Sequence, residues 1–254
     1  MGGLLLVIFA VLVVATVPIG FALAAVASIA VVVADLPVII IPQQIVAGMD
    51  SFPMLAVPLF ILAGFLMDVG GISQRLVTLA RALVGHLPGG LGQVVIMAEI
   101  FFSGVSGSTS ADAAAIGGIM VPQLMANGYS RARSTAIVSA ACGMGILIPP
   151  AIVMVVYGVI GNVSVGALFV ASIAPALLMA VGLMTQIGWQ ARREGWPTEE
   201  RASFTEVRHA AVDALLPLSM IVVILGGIRF GLFTPTEAAA VAVGYALLLA
   251  GPIY

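Results

Sequence analysis

Apolar residues form long continuous stretches along this chain, and most polar residues are confined to short interruptions between them. The first stretch, residues 3–34, is broken at 16–20, where a threonine, a proline and a glycine occur. A helix needs about 20 apolar residues to cross a bilayer, so this stretch is too long for one span. The pattern predicts two short helices that meet at a turn. With the proline-punctuated segment 35–53 and an apolar helix over 54–68, they form a predicted scaffold, residues 1–70.

Residues 71–88 have a different pattern, in which apolar positions recur every three or four residues. These positions are Ile72, Leu76, Leu79, Leu83 and Leu87. Polar residues, among them Arg75 and Arg81, lie mostly between them. The spacing predicts an amphipathic arm helix that lies in the membrane interface or packs beside the helix bundle. A helix that only connects its neighbours is the alternative.

The segment FFSGVSGSTSADAAAIGG, residues 101–118, places hydroxyl groups, an aspartate and several glycines between two apolar arms. Each arm has only about 15 apolar residues, which is short for a membrane span. Non-helical backbone at membrane depth is tolerated only where it is buried in protein or lines a wet cavity. We therefore predict that residues 89–127 form a re-entrant helical hairpin whose polar tip lies partway through the bilayer.

A second break, GMGILIPP at 143–150, interrupts the apolar run 131–161. Pro149 and Pro150 lack a backbone donor, so carbonyls one turn earlier lose their partners within the helix. Residues 128–162 are therefore predicted to be a broken transmembrane helix. A continuous transmembrane helix is expected over 163–190, a cytoplasmic loop over 191–209 and further helices over 210–254.

The nine basic residues are all arginines, and their positions indicate the topology. If the hairpin enters and leaves on the same side, eight of the nine share that side, which the positive-inside rule makes the cytoplasm. These eight are Arg75, Arg81, Arg131, Arg133, Arg192, Arg193, Arg201 and Arg208. Arg229 is the exception. Two helices in 3–34 then place the N-terminus outside.

Composition restricts the class of protein. Hydrophobic residues make up 62% of the 254 residues and charged residues 8%, and the mean hydropathy is +1.24. A soluble domain of this size could not bury so much apolar surface, so the chain is predicted to be an all-α polytopic membrane protein that contacts the lipid bilayer directly. One cysteine and two histidines leave little material for a disulfide or a metal cluster. No basic surface of the kind that binds nucleic acid is present in the sequence.

The two interrupted helices indicate binding sites for ions at membrane depth. The second hairpin arm begins near Thr109, and its free N–H groups suit an anionic group. Loose carbonyl and hydroxyl oxygens suit a sodium ion, and paired interrupted helices are typical of a transporter's midplane site. The alternatives are packing by small residues, a simple proline kink, and a helix-capping role for Asp112. Glu99 lies within an apolar arm, so we expect it to face protein rather than lipid.

Several stretches resemble the large membrane subunit of TRAP transporters, the DctM type. They are the segment 103–115, IPP at 148–150 with VVYG at 155–158, DSFPMLAVPLFILAGFLMD at 50–68, LARALVGHLPGGLG at 79–92 and FTPTEAAAVAVGYALLLA at 233–250. The similarity runs from end to end of the chain. It implies an elevator-type ion-transporter fold, with the first of two inverted repeats and the start of the second.

The resemblance also implies a function, which is the sodium-driven import of an organic acid of the C4-dicarboxylate or sialic acid type. A sodium site would use Ser103, Ser106, Gly145, Ile148 and Pro149, mainly through their carbonyl oxygens. The substrate would border Ser108, Thr109, Ser110 and Asp112. Sodium is thus the expected coupling ion, and no enzymatic activity is expected.

Two partner proteins are implied in the same way. One is a small DctQ-like membrane subunit, and the other is a periplasmic DctP-like protein that delivers the substrate. The location would be the bacterial inner membrane, with the N-terminus in the periplasm. Because the chain stops early in the second repeat, it lacks the opposing hairpin and the second sodium site, so we expect a fragment that does not transport by itself.

Three other interpretations remain open on the sequence alone. A different transporter or a channel with a re-entrant loop would share the polar hairpin tip. An intramembrane protease needs a base beside its serine, but His86 and His209 are both expected at the interfaces. A non-transporting scaffold would use the serines only for packing.

Overall fold

The computed structural model describes residues 2–253, and within that range the fold is entirely helical. The helices are α1 Gly2–Val14, α2 Ile19–Val33, α3 Ile40–Met49, α4 Ala56–Val69, α5 Ile72–Val84, α6 Gly90–Ser106, α7 Thr109–Ala126, α8 Arg131–Gly145, α9 Ile152–Ile160, α10 Val165–Glu194, α11 Phe204–Arg229 and α12 Pro235–Leu248. A 3₁₀ turn, Phe52–Leu55, precedes α4, and a π-helical turn, Leu249–Ile253, follows α12.

Residues up to Ser51 form one compact unit, which contains α1, α2 and α3. The apolar stretch is divided into α1 and α2, and Thr16 in the turn between them has a φ of 61°. The proline-punctuated segment contains α3, a helix that the sequence analysis did not predict. Pro42 is the third residue of α3, where a proline is tolerated because the first turn has no intrahelical donors to lose.

The second unit, from Phe52 onward, contains the hydrophobic core. Its α4 and α12 pack against each other, and both bury small residues, among them Ala63 in α4 and Ala239 in α12. Small side chains let membrane helices approach closely. The Thr236 hydroxyl donates to the Phe52 carbonyl at 2.9 Å, which fixes the start of α12 beside α4.

The amphipathic arm helix is α5, which packs mainly against α6 and α11. Its buried face includes Ile72, Leu76 and Leu79. Two residues of the predicted apolar face are placed otherwise, since Leu83 is 39% exposed and Leu87 lies beyond the end of the helix. The buried face includes Val77 and Ala80 instead. Residues three or four apart do not align exactly along a helix, so the buried face shifts gradually around it.

Three described helical segments are long and apolar enough to cross a membrane: Phe52–Val69, Val165–Glu194 and Phe204–Arg229. The last two correct the predicted boundaries. α10 continues past 190 to Glu194, and α11 starts six residues before 210, so the loop between them is 195–203 rather than 191–209. Gly195, with a φ of 67°, ends α10 in the left-handed conformation. Ser203 and Glu206 form a capping box at the start of α11.

Candidate functional site

The polar segment is the tip of a helical hairpin made by α6 and α7. Gly107 and Ser108 lie between the two helices, and Gly107 has a φ of 62°, which favours glycine. The far ends of the arms meet again, because the Tyr129 hydroxyl donates to the Gly89 carbonyl at 2.8 Å. The two ends of the hairpin therefore lie side by side.

Residues at the base of this hairpin join it to α5 and to the loop 195–203. Arg81 of α5 donates to the Gln123 side chain at 2.6 Å and pairs with Glu199 at 3.3 Å. The Trp196 ring packs edge-on against Tyr129, with centroids 5.0 Å apart. These contacts gather the predicted arginine clusters of α5, α8 and α10 at one end of this unit.

The predicted helix break lies between α8 and α9, at residues 146–151. The Ile152 N–H donates to the Gly107 carbonyl at 3.1 Å, instead of to the Ile148 carbonyl four residues earlier. A Cβ on Gly107 would collide with the Pro150 carbonyl. The hairpin tip therefore touches the double-proline break directly, as the sequence predicted.

A cluster of buried polar side chains lies where the tip, α6 and α8 meet. The Ser103 hydroxyl lies 2.9 Å from Oε1 of Glu99 and 2.6 Å from Oδ2 of Asp112. The Ser106 hydroxyl bonds to Oδ1 of the same aspartate. Glu99 is 0% exposed, and Ser103, Ser106 and Asp112 are each 1% exposed. We call Glu99, Ser103, Ser106 and Asp112 the carboxylate–hydroxyl cluster.

The partners found for the two carboxyl groups of this cluster are hydroxyl and thiol groups, none of which carries a positive charge. Two ion pairs, Arg81–Glu199 and Arg133–Glu194, lie at the hairpin base, away from the cluster. Ser103 has one hydroxyl hydrogen but lies within hydrogen-bonding distance of two carboxyl groups. Two carboxylates buried without a positive partner are strongly unfavourable, so the cluster requires a proton or a bound cation.

Two glycines give the cluster its space. A Cβ on Gly145 would lie 2.6 Å from Oε1 of Glu99 and 3.4 Å from Oδ2 of Asp112, so the last turn of α8 can approach the acids only with glycine there. A Cβ on Gly64 of α4 would lie 2.9 Å from the Ser106 Cα. Real side chains avoid such overlaps. Glycine at these two positions therefore lets α8 and α4 pack closely against the hairpin tip.

The predicted sodium ligands lie together on these elements. Ser103 and Ser106 belong to the cluster, Gly145 faces it, and Ile148 and Pro149 are buried in the adjoining break. An apolar cavity of about 230 Å³ lies on another side of the break, where Ile148 and Pro149 face Ile100, Phe101 and Ile221.

The predicted substrate residues do not all share one environment. Ser108 and Thr109 are partly exposed and Ser110 is exposed, whereas Asp112 is buried. Asp112 also does not cap α7, because its carboxylate accepts hydrogen bonds from the two serines of the opposite arm. Its position groups it with the predicted ligands Ser103 and Ser106 rather than with the other three residues.

The sequence analysis did not assign a site role to Glu99 or to Cys142, whose sulfur lies 3.6 Å from Oε2 of Glu99. A signal for Glu99 existed, since it precedes Ser103 by four residues and so shares its helix face. Its burial agrees with the expectation that it faces protein. Ser108, the serine on which the protease interpretation depends, has its hydroxyl 3.3 Å from the Ser110 hydroxyl.

Residues 6–254 match the family described as the Tripartite ATP-independent periplasmic transporter, DctM component. The chain belongs to this family. The resemblance drawn from the sequence is thereby confirmed, and the family and the apolar helices agree in indicating a helical multi-pass membrane protein.

Three related proteins illustrate the range of the family. An uncharacterized protein, YgiK, of Salmonella typhimurium is 44% identical, over 95% of this chain and 57% of its own length. The C4-dicarboxylate TRAP transporter large permease protein DctM of Pseudomonas aeruginosa is 43% identical, over 81% and 48%. The sialic acid TRAP transporter large permease protein SiaM of Vibrio cholerae is 42% identical, over 84% and 50%. The chain thus spans about half the length of these curated relatives.

Proposed function

We propose that this chain contributes the first sodium site and one wall of the substrate site to a sodium-coupled importer of an organic acid. The observation that supports the proposal is the carboxylate–hydroxyl cluster, which is buried where a hairpin tip meets a broken helix. Its hydroxyl and carboxyl groups supply hard oxygen ligands, and the partners found for its two acids carry no positive charge. Such paired breaks are where secondary transporters bind ions.

A sodium ion fits this set of donors. The hydroxyl oxygens of Ser103 and Ser106 and the carbonyl freed at Ile148 are ligands of the kind that unwound transporter helices supply. Gly145 has no side chain, so the end of α8 can lie close to the two acids. Pro149 has no N–H and therefore cannot form the hydrogen bond that would continue the helix. A bound cation would also offset the charge of Glu99 and Asp112, since opposite charges stabilise each other strongly away from water.

The organic acid would bind on the more exposed side of the same tip. Ser108, Thr109 and Ser110 form the start of α7, and the Ser108 side chain makes no capping bond to the first-turn N–H groups. Free donors at a helix N-terminus suit a carboxylate. Two of the relatives are named for acids of this kind, sialic acid and C4-dicarboxylates.

The remaining parts of the function concern the whole transporter. We propose that a small membrane subunit and a periplasmic binding protein assist it in the bacterial inner membrane, with the N-terminus in the periplasm. The hairpin is then re-entrant, and α6 to α9 move together in an elevator motion. The bond between Ile152 and Gly107 and the packing of Gly145 on the cluster support movement as one body.

The test is uptake by a completed transporter. Residues 1–254 would be joined to the second half of the sialic acid permease and reconstituted with its small subunit and binding protein. Ser106→Leu should reduce sodium-driven uptake at least tenfold while the assembly still forms. Ser172→Ala is the control, because that buried serine only bonds to Phe169 within its own helix. Uptake by Ser106→Leu with unchanged dependence on sodium would contradict the proposal.

A further inference from the structure

A groove lies between the first part of α10 and the last part of α11, away from the hairpin. It consists of two adjoining cavities of about 290 Å³ and 480 Å³, which share Gly166, Val170, Ile228 and Arg229. The larger cavity reaches Ser164, and the other extends along Phe169, Ile173 and Leu225. The groove therefore has an apolar floor and a basic rim.

The length of α11 indicates that this rim lies near a membrane surface. Arg208 and Arg229 lie near opposite ends of α11 and are 21 residues apart in the sequence, which corresponds to about 32 Å along a helix. This is close to the thickness of a bilayer's hydrocarbon core, roughly 30 Å. Phe230 beside the arginine is 81% exposed, as expected of an aromatic residue in the interface.

Arg229 has an uncommon setting in this chain. It is the arginine that does not follow the positive-inside pattern of the other eight. Across residues 2–253 no carboxylate pairs with it, whereas Arg81 and Arg133 both have acidic partners. A lone exposed cation thus stands beside an apolar groove whose outer residues, Val170 and Ile173, are 48% and 40% exposed.

We propose that this groove binds an anionic phospholipid, with the phosphate at Arg229 and one acyl chain along Val170, Ile173 and Leu225. The complementarity carries the argument, because an amphiphile with a negative head and an apolar chain matches a basic rim joined to an apolar floor. The close approach of the helices also shapes the floor, since a Cβ on Gly166 would lie 3.0 Å from Ile228. An apolar segment of a longer permease or of a partner protein would also fit the apolar floor. It would not by itself place a negative charge beside Arg229, whereas an anionic phospholipid does.

The experiment is native mass spectrometry of the full chain, purified and exposed to equal amounts of phosphatidylglycerol and phosphatidylethanolamine. Wild type should retain phosphatidylglycerol preferentially. Arg229→Gln should lower that retention about fivefold, the effect of one basic residue near an anionic head group. Arg208→Gln is the matched control, because it removes the same charge near the other end of the same helix, and it should retain the lipid as wild type does.

A second variant tests the acyl-chain part of the groove. Val170→Trp fills the floor and keeps Arg229, so it should lower retention of phosphatidylglycerol by a similar factor. Soluble glycerol phosphate should not compete at the concentration at which the lipid binds. The proposal is overturned if Arg208→Gln loses as much lipid as Arg229→Gln, if Val170→Trp retains all of it, if the zwitterionic lipid binds equally well, or if glycerol phosphate displaces it. Loss of the groove's lipid when a second-half segment is added would show that protein covers it instead.

Discussion

The hairpin and the broken helix beside it differ from the pair α10–α11 in helix continuity and in the polar side chains that they bury. α10 and α11 have 30 and 26 residues, and each continues through an internal proline, Pro175 or Pro217. The hairpin arms are short, and the chain from α8 to α9 is interrupted at Pro149 and Pro150. The long pair buries few polar side chains, whereas the broken elements hold two acids and two serines away from solvent.

This difference shows what makes a break in an apolar helix persist. A single proline removes one donor, which neighbouring backbone can tolerate in a membrane helix. At the break, two adjacent prolines coincide with an outside acceptor, the Gly107 carbonyl, which takes the Ile152 N–H. The break therefore packs against the hairpin tip, and Gly145, at the end of α8, lies beside the buried polar cluster.

The largest expected effect concerns the topology of the long pair. A cysteine at Gly195 should react with a membrane-impermeant maleimide only from the cytoplasmic side, and one at Gly231 only from the other side. Both glycines have open space around them. Cys142 is buried and should stay silent, which makes the unmodified chain the control. Labelling of both positions from the same side would contradict a membrane crossing by α11, the helix between them.

The next effect compares the stability of alanine variants at two glycines of α8, Gly145 beside the cluster and Gly143 away from it. Gly145→Ala should lower the free energy of unfolding by about 1–3 kcal/mol, the usual cost of overpacking, because its Cβ would strike Glu99. Gly143→Ala, two residues earlier on α8, meets nothing within 4 Å and should be neutral or slightly stabilising. Thermal unfolding in detergent measures both, and equal losses would refute the close approach at Gly145.

A smaller effect compares the prolines directly. Pro149→Ala restores a backbone N–H at the break, so α8 can continue further. A longer α8 would displace the carbonyl groups that the proposed sodium site uses. We expect a several-fold loss of sodium-induced thermal stabilisation. Pro175→Ala, inside the continuous α10, should leave that stabilisation unchanged. A sodium response that survives Pro149→Ala in full would mean that the break is not needed for binding.

The smallest effect is a pH dependence at the start of α11. The backbone N–H and hydroxyl of Ser203 hold the pKa of Glu206 below its ordinary value. A lowered pKa contributes stability above the unfolded-state value, and this contribution is lost as the pH falls through the folded-state value. Glu206→Ala should therefore lower the melting temperature slightly at neutral pH. The difference from wild type should vanish in acid, and a constant difference would exclude the charge as its cause.

Much of the architecture follows from local sequence. Gly107 and the two prolines mark the interruptions because they restrict or free the backbone at those positions. The early start of α11 was also readable, since SFTE at 203–206 is a capping-box sequence. Contacts between distant residues were not, and the pairing of Glu99 and Asp112 through Ser103 depends on how the two arms align. The helix α3 was missed because the prolines of the segment 35–53, of which only Pro42 lies within the helix, suggested a loop.

The central claim is that the carboxylate–hydroxyl cluster and the break bind one sodium ion, and equilibrium binding of ²²Na⁺ to the purified chain tests it most directly. Wild type should bind one ion per chain in competition with unlabelled sodium but not with potassium. Ser103→Ala should weaken binding at least tenfold, and Ser172→Ala should not. Absence of sodium binding to a folded wild-type chain, or equal binding by Ser103→Ala, would contradict the account.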